Sequence, residues 1–336
     1  MQIIIPMAGK GKRMRPHTLT TAKPLIPVGG KPIVQRLVED ITKVCGEKVD
    51  EIAFVIAPDF GSEVEKDLVA VAQSQGAKGS IHYQKEALGT AHAIMCAASA
   101  LKGKTVIAFA DTLFKADFVM ETSQEGVIWV QKIEDPRQFG VVKLDSNGII
   151  TDFVEKPQEF ISDLAIIGIY YFKDGDNLKK ELQYLLDNNI KEKGEFQLTN
   201  ALDNMRKKGI KFVPGQVTEW LDCGNKDATV YTNKRVLEFD RDKAELKGKN
   251  IRNNGSLIIE PCYIGDNVEL VNSVIGPHVS IGRNTRIEKS IISNSILQSD
   301  AKVKNSNICN SMIGTGAEIS GKALDLSVSD YTQIIV

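Results

Sequence analysis

Positively charged residues and glycines gather close to the amino terminus, directly after a short apolar run. Ile3–Ile5 has the composition of a buried strand, and the loop Ala8–Arg13 that follows it holds two glycines and three cations. Lys23 follows ten residues later. Glycine lets a backbone approach a ligand closely, while N–H groups and cationic side chains neutralise phosphate oxygens. The pattern therefore predicts a binding site for a polyphosphate.

This loop matches neither of the two common phosphate-binding patterns. The P-loop pattern G-x-x-x-x-G-K-[ST] is absent, and Met14 stands where the pattern G-x-G-x-x-G needs its third glycine or alanine. On the loop alone, an ordinary turn with solvated charges is an equally good interpretation. Lys23 is a stronger candidate, because Pro24 and Pro27 stiffen the backbone around it and would hold its ammonium group in place.

Composition excludes several classes of protein. The chain has 336 residues, with 42 Lys and Arg against 43 Asp and Glu, so no basic excess points to nucleic acid or to an anionic membrane. No apolar run is long enough to span a bilayer, and the amino terminus lacks the features of a signal peptide. Five scattered cysteines without a C-x-x-C pair indicate reduced thiols. We therefore expect a soluble, cytoplasmic protein.

Up to about residue 235, apolar runs alternate with helical patterns. The predicted strands are Ile3–Ile5, Ile52–Ile56, Ile81–Tyr83 and Thr105–Ala110, and the predicted helices lie near Ile33–Val44, Ser62–Ser74 and Thr90–Leu101. This alternation predicts an α/β fold with a mostly parallel mixed sheet covered on both faces. Ligands bind such sheets beyond the carboxyl ends of the strands. The glycine-rich loop, Gln84–Thr90 and Asp111 each follow a strand, so we expect them at one edge.

From about Ile251 onward the helical pattern gives way to a period of six residues. Hexads begin at Ile275, Ile281 and Ile287, with related ones at Ile264 and Ile313. An aliphatic residue every sixth position predicts a hexapeptide β-helix, in which these side chains stack inward. The spacing is irregular in places and predicts some five-residue sides. A β-sandwich of short strands is the alternative, but it explains the period poorly.

Polar residues after the later strands suggest contacts with a base and with a metal. The amide of Gln84 could read the O4/N3 edge of a pyrimidine, and Gly89 would let a base approach the backbone. A glycine-led helix start with a solvated glutamine is the alternative. Asp111 and Asp222 could hold Mg2+ against phosphate oxygens. Each aspartate alone is more often a cap or turn residue. His92 is expected to pack rather than to act in catalysis.

A second group of residues suggests a site for a phosphorylated sugar. Lys156 could hold the phosphate and Glu155 could accept from hydroxyls, although the two could also form a surface ion pair. The remaining candidates are Gly140 and Gly168, which would let a sugar lie on the backbone, Glu195 and Thr199, and the indole of Trp220. Glu195 and Thr199 could instead form a local helix-start motif, and Trp220 could be a core residue.

Taken together, these segments resemble the sugar-1-phosphate nucleotidyltransferases along nearly the whole chain. The resemblance is carried by AGKGKRMRPHT, AKPLIPVGGKP, LGTAHA, ADT, EDPRQFGVV, VEKP, IGIYYF, GEFQLTNAL and WLDCG. It is closest to long-form glucose-1-phosphate thymidylyltransferases. It implies a Rossmann-like catalytic domain over residues 1–235, a linker helix over 236–250, and a left-handed parallel β-helix with a C-terminal tail over 251–336.

The resemblance also implies an activity: a nucleoside triphosphate, with dTTP as first choice, reacts with a sugar 1-phosphate, with glucose 1-phosphate as first choice. The products would be an NDP-sugar and pyrophosphate, formed by in-line displacement with Mg2+ as cofactor and without a general base. It implies catalytic roles for Arg13, Lys23 and Lys156, nucleotide contacts from Ala8, Gly9, Gly11, Arg13, Gln84, Gly89 and Thr90, sugar-phosphate contacts from Gly140, Glu155, Lys156, Gly168, Glu195, Thr199 and Trp220, and metal ligands in Asp111 and Asp222.

Three alternatives stay open at this point. Pro6-Met7 and Ala110-Asp111-Thr112 depart from the family's usual Leu-Ala and Gly-Asp-Asn, and LGTAHA also resembles uridylyltransferases, so UTP could replace dTTP. A pocket gains only about 1–3 kcal/mol from the thymine methyl. The chain could also be a non-catalytic regulatory relative, or a bifunctional enzyme with acyl transfer in the hexapeptide domain, where His278 is the lone histidine. We expect that domain to be structural and the protein to form a homo-oligomer.

Overall fold

The computed structural model describes residues 1–115, 119–321 and 326–335. The chain forms two compact units that are interleaved in sequence. The first unit comprises Met1–Gly9 and Leu37–Trp220, and the second comprises Lys10–Arg36 and Leu221–Val336. The three-part division at residues 235 and 250 remains a prediction.

Six α-helices lie in the described part of the chain. They are α1 (Ile33–Cys45), α2 (Ser62–Ser74), α3 (Thr90–Cys96), α4 (Gly175–Asp187), α5 (Leu198–Lys207) and α6 (Lys226–Phe239). The predicted extension of α3 to Leu101 is wrong. The N–H of Ala97 bonds to the carbonyl of Ile94 and that of Ala100 to Ala97, so tight turns replace the helix. Ala97, Ala100 and Leu101 are buried all the same, which is why their apolar pattern imitates a longer helix.

The strands up to residue 222 are β1 (Gln2–Pro6), β2 (Pro27–Val28), β3 (Lys31–Pro32), β4 (Glu51–Ile56), β5 (Lys78–Tyr83), β6 (Thr105–Ala108), β7 (Thr112–Lys115), β8 (Gly126–Lys132), β9 (Gly140–Leu144), β10 (Ile150–Glu155), β11 (Leu164–Phe172), β12 (Phe212–Gln216) and β13 (Glu219–Asp222). Nine of them form one sheet in the first unit, with the order β10-β9-β11-β6-β1-β4-β5 and with β8 joining β11 to β12. The predicted mixed sheet is therefore confirmed.

The direction of each strand follows from the chain that connects it to its neighbour. Strands β6, β1, β4 and β5 are mutually parallel, and helices supply the crossover connections that parallel neighbours need. Strand β11 is antiparallel to β6, β8 and β9, and the described residues between β6 and β11 contain strands and loops but no α-helix. The sheet is thus parallel on one side and largely antiparallel on the other.

Both faces of the parallel strands are covered by apolar side chains. Ile3, Ile4 and Ile5 are all fully buried, although successive residues of a strand point to opposite faces. Ile4 belongs to a core cluster with Ile94 of α3 and Leu178 of α4. None of the helices in the described residues is long and apolar enough to cross a membrane.

The carboxyl-terminal strands form three parallel sheets within the second unit. They are β14 (Arg252–Asn254), β15 (Leu257–Ile258), β16 (Cys262–Ile264), β17 (Glu269–Val271), β18 (Val274–Ile275), β19 (Val279–Ile281), β20 (Arg286–Glu288), β21 (Ile291–Ser293), β22 (Ser295–Leu297), β23 (Lys302–Lys304), β24 (Asn307–Cys309), β25 (Met312–Ile313), β26 (Glu318–Ser320), β27 (Ser327–Val328) and β28 (Gln333–Ile335). The strand orders are β14-β17-β20-β23-β26-β28, β15-β18-β21-β24 and β16-β19-β22-β25-β27. Each sheet takes every third strand as far as β26, and the last steps, from β26 to β28 and from β25 to β27, pass over one described strand.

This arrangement is that of a β-helix, as the hexapeptide pattern predicted. The aliphatic residues that begin the hexads, among them Ile264, Ile281 and Ile287, are fully buried and form one cluster along the coil. Equivalent residues of successive coils are 17 positions apart near the start, 16 further on and 15 at the end. Three walls of six residues would need 18, so the predicted five-residue sides are present.

The turns of the β-helix are held by stacked polar side chains. Asn267, Asn284 and Asp300 occupy one corner of successive coils with left-handed φ values of 56°, 58° and 61°. Asn267 Nδ2 donates to Asn284 Oδ1 at 3.1 Å, and Asn284 Nδ2 donates to Asp300 Oδ1 at 3.0 Å. Asparagine and aspartate tolerate this backbone conformation better than most residues, which explains their recurrence at the corners.

The second unit also contains an amino-terminal segment and α6. Asn233 of α6 accepts the N–H of Gly29 at 2.9 Å and the hydroxyl of Ser280 at 2.6 Å, so one amide oxygen joins the hairpin β2–β3, the helix and the coil. Arg36 adds an ion pair to Asp240 at 2.9 Å. Helix α6 begins at Lys226 and ends at Phe239.

Candidate active site

The parallel strands bring three of the predicted polar features to one edge of the sheet. Strands β1, β4, β5 and β6 run in the same direction, so their carboxyl ends share an edge. Ala8 and Gly9 follow β1, Gln84 follows β5, and Asp111 lies three residues after β6. This edge of the first unit is where an α/β sheet generally binds its ligands.

Gln84 is fixed through its backbone by Ile56 and through its side-chain amide by Gly89 and His92. Its backbone N–H donates to the carbonyl of Ile56 at 2.9 Å, which continues the pairing of β4 and β5 by one residue. Its side-chain Nε2 lies 3.2 Å from the carbonyl of Gly89 and 3.1 Å from Nδ1 of His92. Both contacts are made by Nε2, and neither involves the side-chain oxygen Oε1. His92 therefore helps to orient the Gln84 amide and is not simply a packing residue.

Gly89 meets the backbone of a distant segment. Its φ is 114°, and a Cβ built there would lie 2.4 Å from the carbonyl oxygen of Phe196. The N–H of Ala91 donates to that carbonyl at 2.9 Å, and the N–H of Phe196 donates to Leu88 at 2.8 Å. The glycine is therefore required for the approach of this second chain segment, a need that sequence spacing alone did not reveal.

Thr90 links the start of α3 to the start of α5. Its hydroxyl accepts the N–H of Leu198 at 2.9 Å and donates to Oε1 of Gln197 at 3.2 Å. Gln197 in turn donates to the exposed carboxylate of Glu195 at 3.1 Å. The alternative of a local helix-start motif is wrong, because α5 has no side-chain cap of its own and Thr90 satisfies its first N–H from outside.

Glu155, Gly140 and Thr199 come together at the base of the hairpin β9–β10. Glu155 pairs with Gly140 across the two strands, and a Cβ on Gly140 would lie 3.1 Å from the Glu155 carboxylate and 3.7 Å from the Thr199 methyl. Burial raises the pKa of Glu155, while the Lys156 ammonium at 3.6 Å opposes the shift. The hydroxyl of Thr199 is buried without a hydrogen-bond partner in the structure. A carboxylate and a hydroxyl with unused capacity suit a polyhydroxylated ligand.

Lys156 leaves β10 in a left-handed conformation, with φ of 46°. Its N–H donates to Phe139 at 3.1 Å, and its carbonyl accepts from Nζ of Lys193 at 2.9 Å. Nζ of Lys193 also lies 3.1 Å from the carbonyl of Glu155. These contacts fix the backbone and leave the Lys156 side chain half exposed, beside the partly buried Glu155. Lys193 was not identified from the sequence, since only its position on a tight turn brings it here.

Gly168 lies in β11, two residues before Tyr170, and contacts the segment that follows β6. The carbonyl of Gly168 accepts the N–H of Phe109 at 2.9 Å, at an irregularity in β11 where its φ is 84°. Burial raises the pKa of Tyr170, and the Glu155 and Asp111 carboxylates add to the shift. Both carboxylates therefore act on the same buried phenol in the first unit.

Trp220 packs its indole edge-to-face on Phe139, with ring centroids 5.0 Å apart. Its Nε1 is buried and makes no hydrogen bond in the structure. The contact with Phe139 shows that the packing interpretation of Trp220 holds at least in part. The unused N–H leaves one donor for a ligand.

The remaining predicted residues, Gly11, Arg13, Lys23 and Asp222, belong to the second unit. Gly11 has φ of 54°, and a Cβ there would lie 3.0 Å from Cβ of Lys23 and 3.1 Å from the methyl of Thr18. The hydroxyl of Thr18 donates to the carbonyl of Gly11 at 2.8 Å. The loop is therefore folded tightly against Lys23, which is 7% exposed, while Arg13 is exposed.

Asp222 ends β13 and has chemistry suited to a hard divalent cation. A Cβ on Gly224 would lie 2.8 Å from its carboxylate, so the glycine keeps space open beside the oxygens. Its carbonyl accepts from the hydroxyl of Thr232 at 2.8 Å, which fixes the backbone. Within residues 1–115, 119–321 and 326–335, no three His, Cys, Asp or Glu side chains form a metal-binding group. The carboxylate of Asp222 therefore fits Mg2+ only as one ligand of a set completed by substrate oxygens and water.

Comparison with known proteins gives the chain its relatives. Residues 2–238 match the nucleotidyl transferase family. The low-salt glycan biosynthesis nucleotidyltransferase Agl11 of Haloferax volcanii is 28% identical and a glucose-1-phosphate thymidylyltransferase of Streptomyces antibioticus is 27% identical, each over 95% of this chain and 94% of its own length. The bifunctional protein GlmU of Methanocaldococcus jannaschii is 31% identical, and the matched region covers 77% of this chain and 60% of GlmU.

Solved structures share the fold of the larger part of the chain. A Bacillus anthracis protein described as a glucose-1-phosphate thymidylyltransferase has a TM-score of 0.59 at 24% identity, over 72% of this chain and 95% of that one. A UDP-glucose pyrophosphorylase in complex with UDP-glucose has a TM-score of 0.58 at 21% identity, over 71% and 98%. With the family match covering residues 2–238, the membership that the motifs predicted is confirmed: this chain belongs to the nucleotidyl transferase family.

Proposed function

We propose that the chain transfers a nucleotidyl group from a nucleoside triphosphate, dTTP in the first instance, to glucose 1-phosphate or a related sugar 1-phosphate. One observation carries the proposal most directly. A glucose-1-phosphate thymidylyltransferase is similar over 95% of the chain, so the likeness includes the β-helix as well as the α/β unit. The arrangement of the first unit supports it, since a fixed glutamine amide and a separate carboxylate–hydroxyl pair offer contacts to a base and to a sugar.

The chemistry would be a single in-line displacement. An oxygen of the sugar phosphate attacks the α-phosphorus of the triphosphate, and the bond from that phosphorus to the bridging oxygen of pyrophosphate breaks. The attacking phosphate is already ionised near neutral pH, so no general base is needed. Catalysis then rests on alignment and charge stabilisation: Arg13 and Lys23 bind the triphosphate, and Lys156 holds the nucleophile.

Mg2+ is proposed as the cofactor. Asp111 and Asp222 would each supply carboxylate oxygen, the ligand type that Mg2+ prefers, with substrate phosphates and water completing the set. When bound, the cation would neutralise phosphate charge and favour a single orientation of the triphosphate. The open space that Gly224 leaves beside Asp222 is consistent with this role.

Acyl transfer by the β-helix is not part of the proposal. His278, the histidine considered for it, lies 3.1 Å from Glu238 through Nε2, and its carbonyl accepts from Asn233 of α6 at 3.4 Å. These contacts give the residue a structural role in joining helix and coil. The expected cytoplasmic location and homo-oligomeric state remain predictions.

A substrate grid tests the proposal. Purified protein is incubated with Mg2+ and each pair of nucleoside triphosphate and sugar 1-phosphate, and pyrophosphate release is measured. We expect dTTP with glucose 1-phosphate to give the highest kcat/KM, with UTP the nearest competitor. A higher value with UTP would support the uridylyltransferase alternative. Absence of sugar-dependent release in every pair would support a non-catalytic relative and overturn the proposal.

A matched pair of arginine variants tests the assignment of Arg13 in the same assay. Arg13→Ala should lower kcat about 100-fold or more, because a charge stabiliser of the leaving pyrophosphate is lost. Arg15→Ala removes another exposed cation from the same segment and should stay close to wild type. Equal activities of the two variants would remove the assignment.

A further inference from the structure

The end of the β-helix contacts the segment that carries the phosphate-binding cations. This segment comprises residues 10–26, with Gly11, Arg13 and Lys23, and is called the phosphate segment below. The last described part of the coil, residues 326–335, is called the final coil. Both belong to the second unit, although about 300 residues separate them in the sequence.

The first contact is made by His17, which is fully buried. Its Nε2 lies 2.8 Å from the hydroxyl of Ser327. Burial lowers the pKa of His17 to about 4, with Asp330 opposing the shift and Lys226 adding to it. The imidazole is therefore neutral near pH 7, and it joins the phosphate segment to β27 by an uncharged hydrogen bond.

Two further residues of the final coil bind the same segment. The hydroxyl of Ser329 donates to the carbonyl of Pro16 at 2.8 Å. One carboxylate oxygen of Asp330, Oδ2, accepts from the hydroxyls of Thr20 and Thr21, the latter at 3.5 Å. Its other oxygen, Oδ1, accepts the backbone N–H of Thr315 in the preceding coil at 2.9 Å. Asp330 thus has one oxygen on the β-helix and one on the phosphate segment.

These contacts lie close in the chain to the groups proposed to bind phosphate. Thr21 lies two residues before Lys23. Thr18 donates to the carbonyl of Gly11 at 2.8 Å, and Gly11 lies two residues before Arg13. Met14, next to Arg13, is buried and lies 3.5 Å from the hydroxyl of Thr229 of α6. A shift of Thr20 and Thr21 would therefore be passed to both cations through short, tightly packed stretches.

We infer that the final coil is a positioning element for catalysis, and that Asp330 is its main positioning residue. It does not touch the substrates; it holds the phosphate segment so that Arg13 and Lys23 meet the triphosphate in a fixed geometry. This gives the β-helix a part in the reaction beyond packing. The inference rests on the proposed function for its catalytic readout, but the order of the phosphate segment can be measured without any turnover.

The test compares Asp330→Ala with a matched variant from an equivalent place in the coil. Asp266 Oδ1 accepts the backbone N–H of Lys249 in the preceding coil at 2.6 Å, as Asp330 does for Thr315. Asp266→Ala therefore removes the same type of coil contact without removing the bond to Thr20. Each protein is assayed for kcat and KM with both substrates. Each is also examined by hydrogen–deuterium exchange of peptides covering residues 10–26, without ligands, and by thermal melting.

We expect Asp330→Ala to lower kcat/KM for the triphosphate about tenfold and to leave the KM for sugar 1-phosphate within about twofold. Exchange in residues 10–26 should rise, while Asp266→Ala should change neither. Asp330→Asn keeps a side-chain oxygen that can accept the N–H of Thr315, and its new amide N–H can donate to the hydroxyl of Thr20. This variant should therefore restore most of the activity and most of the protection from exchange.

Three results would overturn the inference. The first is Asp330→Ala matching Asp266→Ala in both kcat/KM and exchange. The second is Asp330→Asn remaining as inactive as Asp330→Ala with normal exchange, since this would mean that the charge acts in the reaction. The third result concerns a wild-type protein without nucleotidyltransferase activity, which would overturn the proposed function. Hydrogen–deuterium exchange alone then tests the inference, and unchanged exchange of residues 10–26 in Asp330→Ala contradicts it.

Discussion

At Gly89 the backbone and a neighbouring segment together leave no room for a side chain. Its φ is 114°, and a Cβ would lie 2.4 Å from the Phe196 carbonyl and 2.7 Å from the Phe196 nitrogen. Because these are backbone atoms, they cannot rotate away as a flexible side chain would. The same residue fixes the carbonyl that receives the Gln84 amide, so a change at Gly89 should affect both stability and nucleotide binding.

Gly61 offers a matched control for Gly89, because each of these glycines has a positive φ and directly precedes an α-helix. A Cβ at Gly61 would have no atom within 4 Å. Gly61→Ala should therefore cost only backbone strain, about 1–3 kcal/mol, while Gly89→Ala should cost clearly more and raise the KM for the triphosphate. Urea unfolding and initial rates measure the two effects. Equal losses of stability in the two variants would show that the contact with Phe196 is not limiting.

Glu155 is expected to reduce stability and to support binding. Burial raises its pKa, so its carboxylate form is less favourable in the folded chain than in water. In a group with a raised folded-state pKa, stability is lost as pH rises through that pKa. Glu155→Gln should therefore melt at a higher temperature near pH 8, yet raise the KM for sugar 1-phosphate about tenfold through loss of a charged acceptor.

The exposed Glu159 provides the comparison for Glu155. Glu159→Gln should change neither the melting temperature nor the KM. The prediction for Glu155 would fail if its glutamine variant melted below wild type near pH 8, or if it bound sugar 1-phosphate as well as wild type.

Among the elements, the phosphate segment shows how far sequence reasoning extends. The glycines, Arg13 and Lys23 were predicted as phosphate contacts from their types and spacing, which stays a prediction, and the strand before them was predicted correctly from its apolar run. Its attachment to the final coil could not, because Thr20, Thr21 and Asp330 are polar residues without any pattern and lie far apart in the chain. Contacts of this kind follow from the tertiary fold, and no local propensity predicts them.

The contact of His17 with β27 gives this element a pH dependence. Burial holds the pKa of His17 at about 4 in the folded chain, against about 6.5 for a free histidine. At pH values between these two pKa values the unfolded chain binds more protons than the folded chain. The contribution of His17 to the free energy of unfolding should therefore be fully present above pH 6.5 and decrease as the pH falls toward 4. The loss attributable to His17 would reach about 3 kcal/mol.

Urea unfolding at pH 7.5, 6.0 and 5.0 measures this effect in the wild type and in His17→Gln, which cannot titrate. The difference in stability between the two proteins should shrink as pH falls. A difference that stays constant over this range would show that His17 does not titrate with an altered pKa.

For the whole molecule, the two repeating patterns were the most informative. The six-residue period predicted the β-helix and its five-residue sides, because each aliphatic residue has a fixed place in the core column. The alternation of strands and helices predicted a mostly parallel mixed sheet but not which strands are antiparallel, since direction depends on connections that periodicity does not encode. The interleaving of the two units was likewise not predicted, because Lys10–Arg36 joins the second unit through contacts distant in sequence.

In the proposed reaction the α-phosphate of a nucleoside triphosphate passes directly to a sugar 1-phosphate. The most direct measurement uses dTTP or UTP labelled with 32P at the α-phosphate, with Mg2+ and with glucose 1-phosphate present or omitted. We expect label to appear in an NDP-sugar, with one pyrophosphate released per label transferred, and only when the sugar phosphate is present. Label bound covalently to the protein, or pyrophosphate released equally without the sugar phosphate, would contradict it.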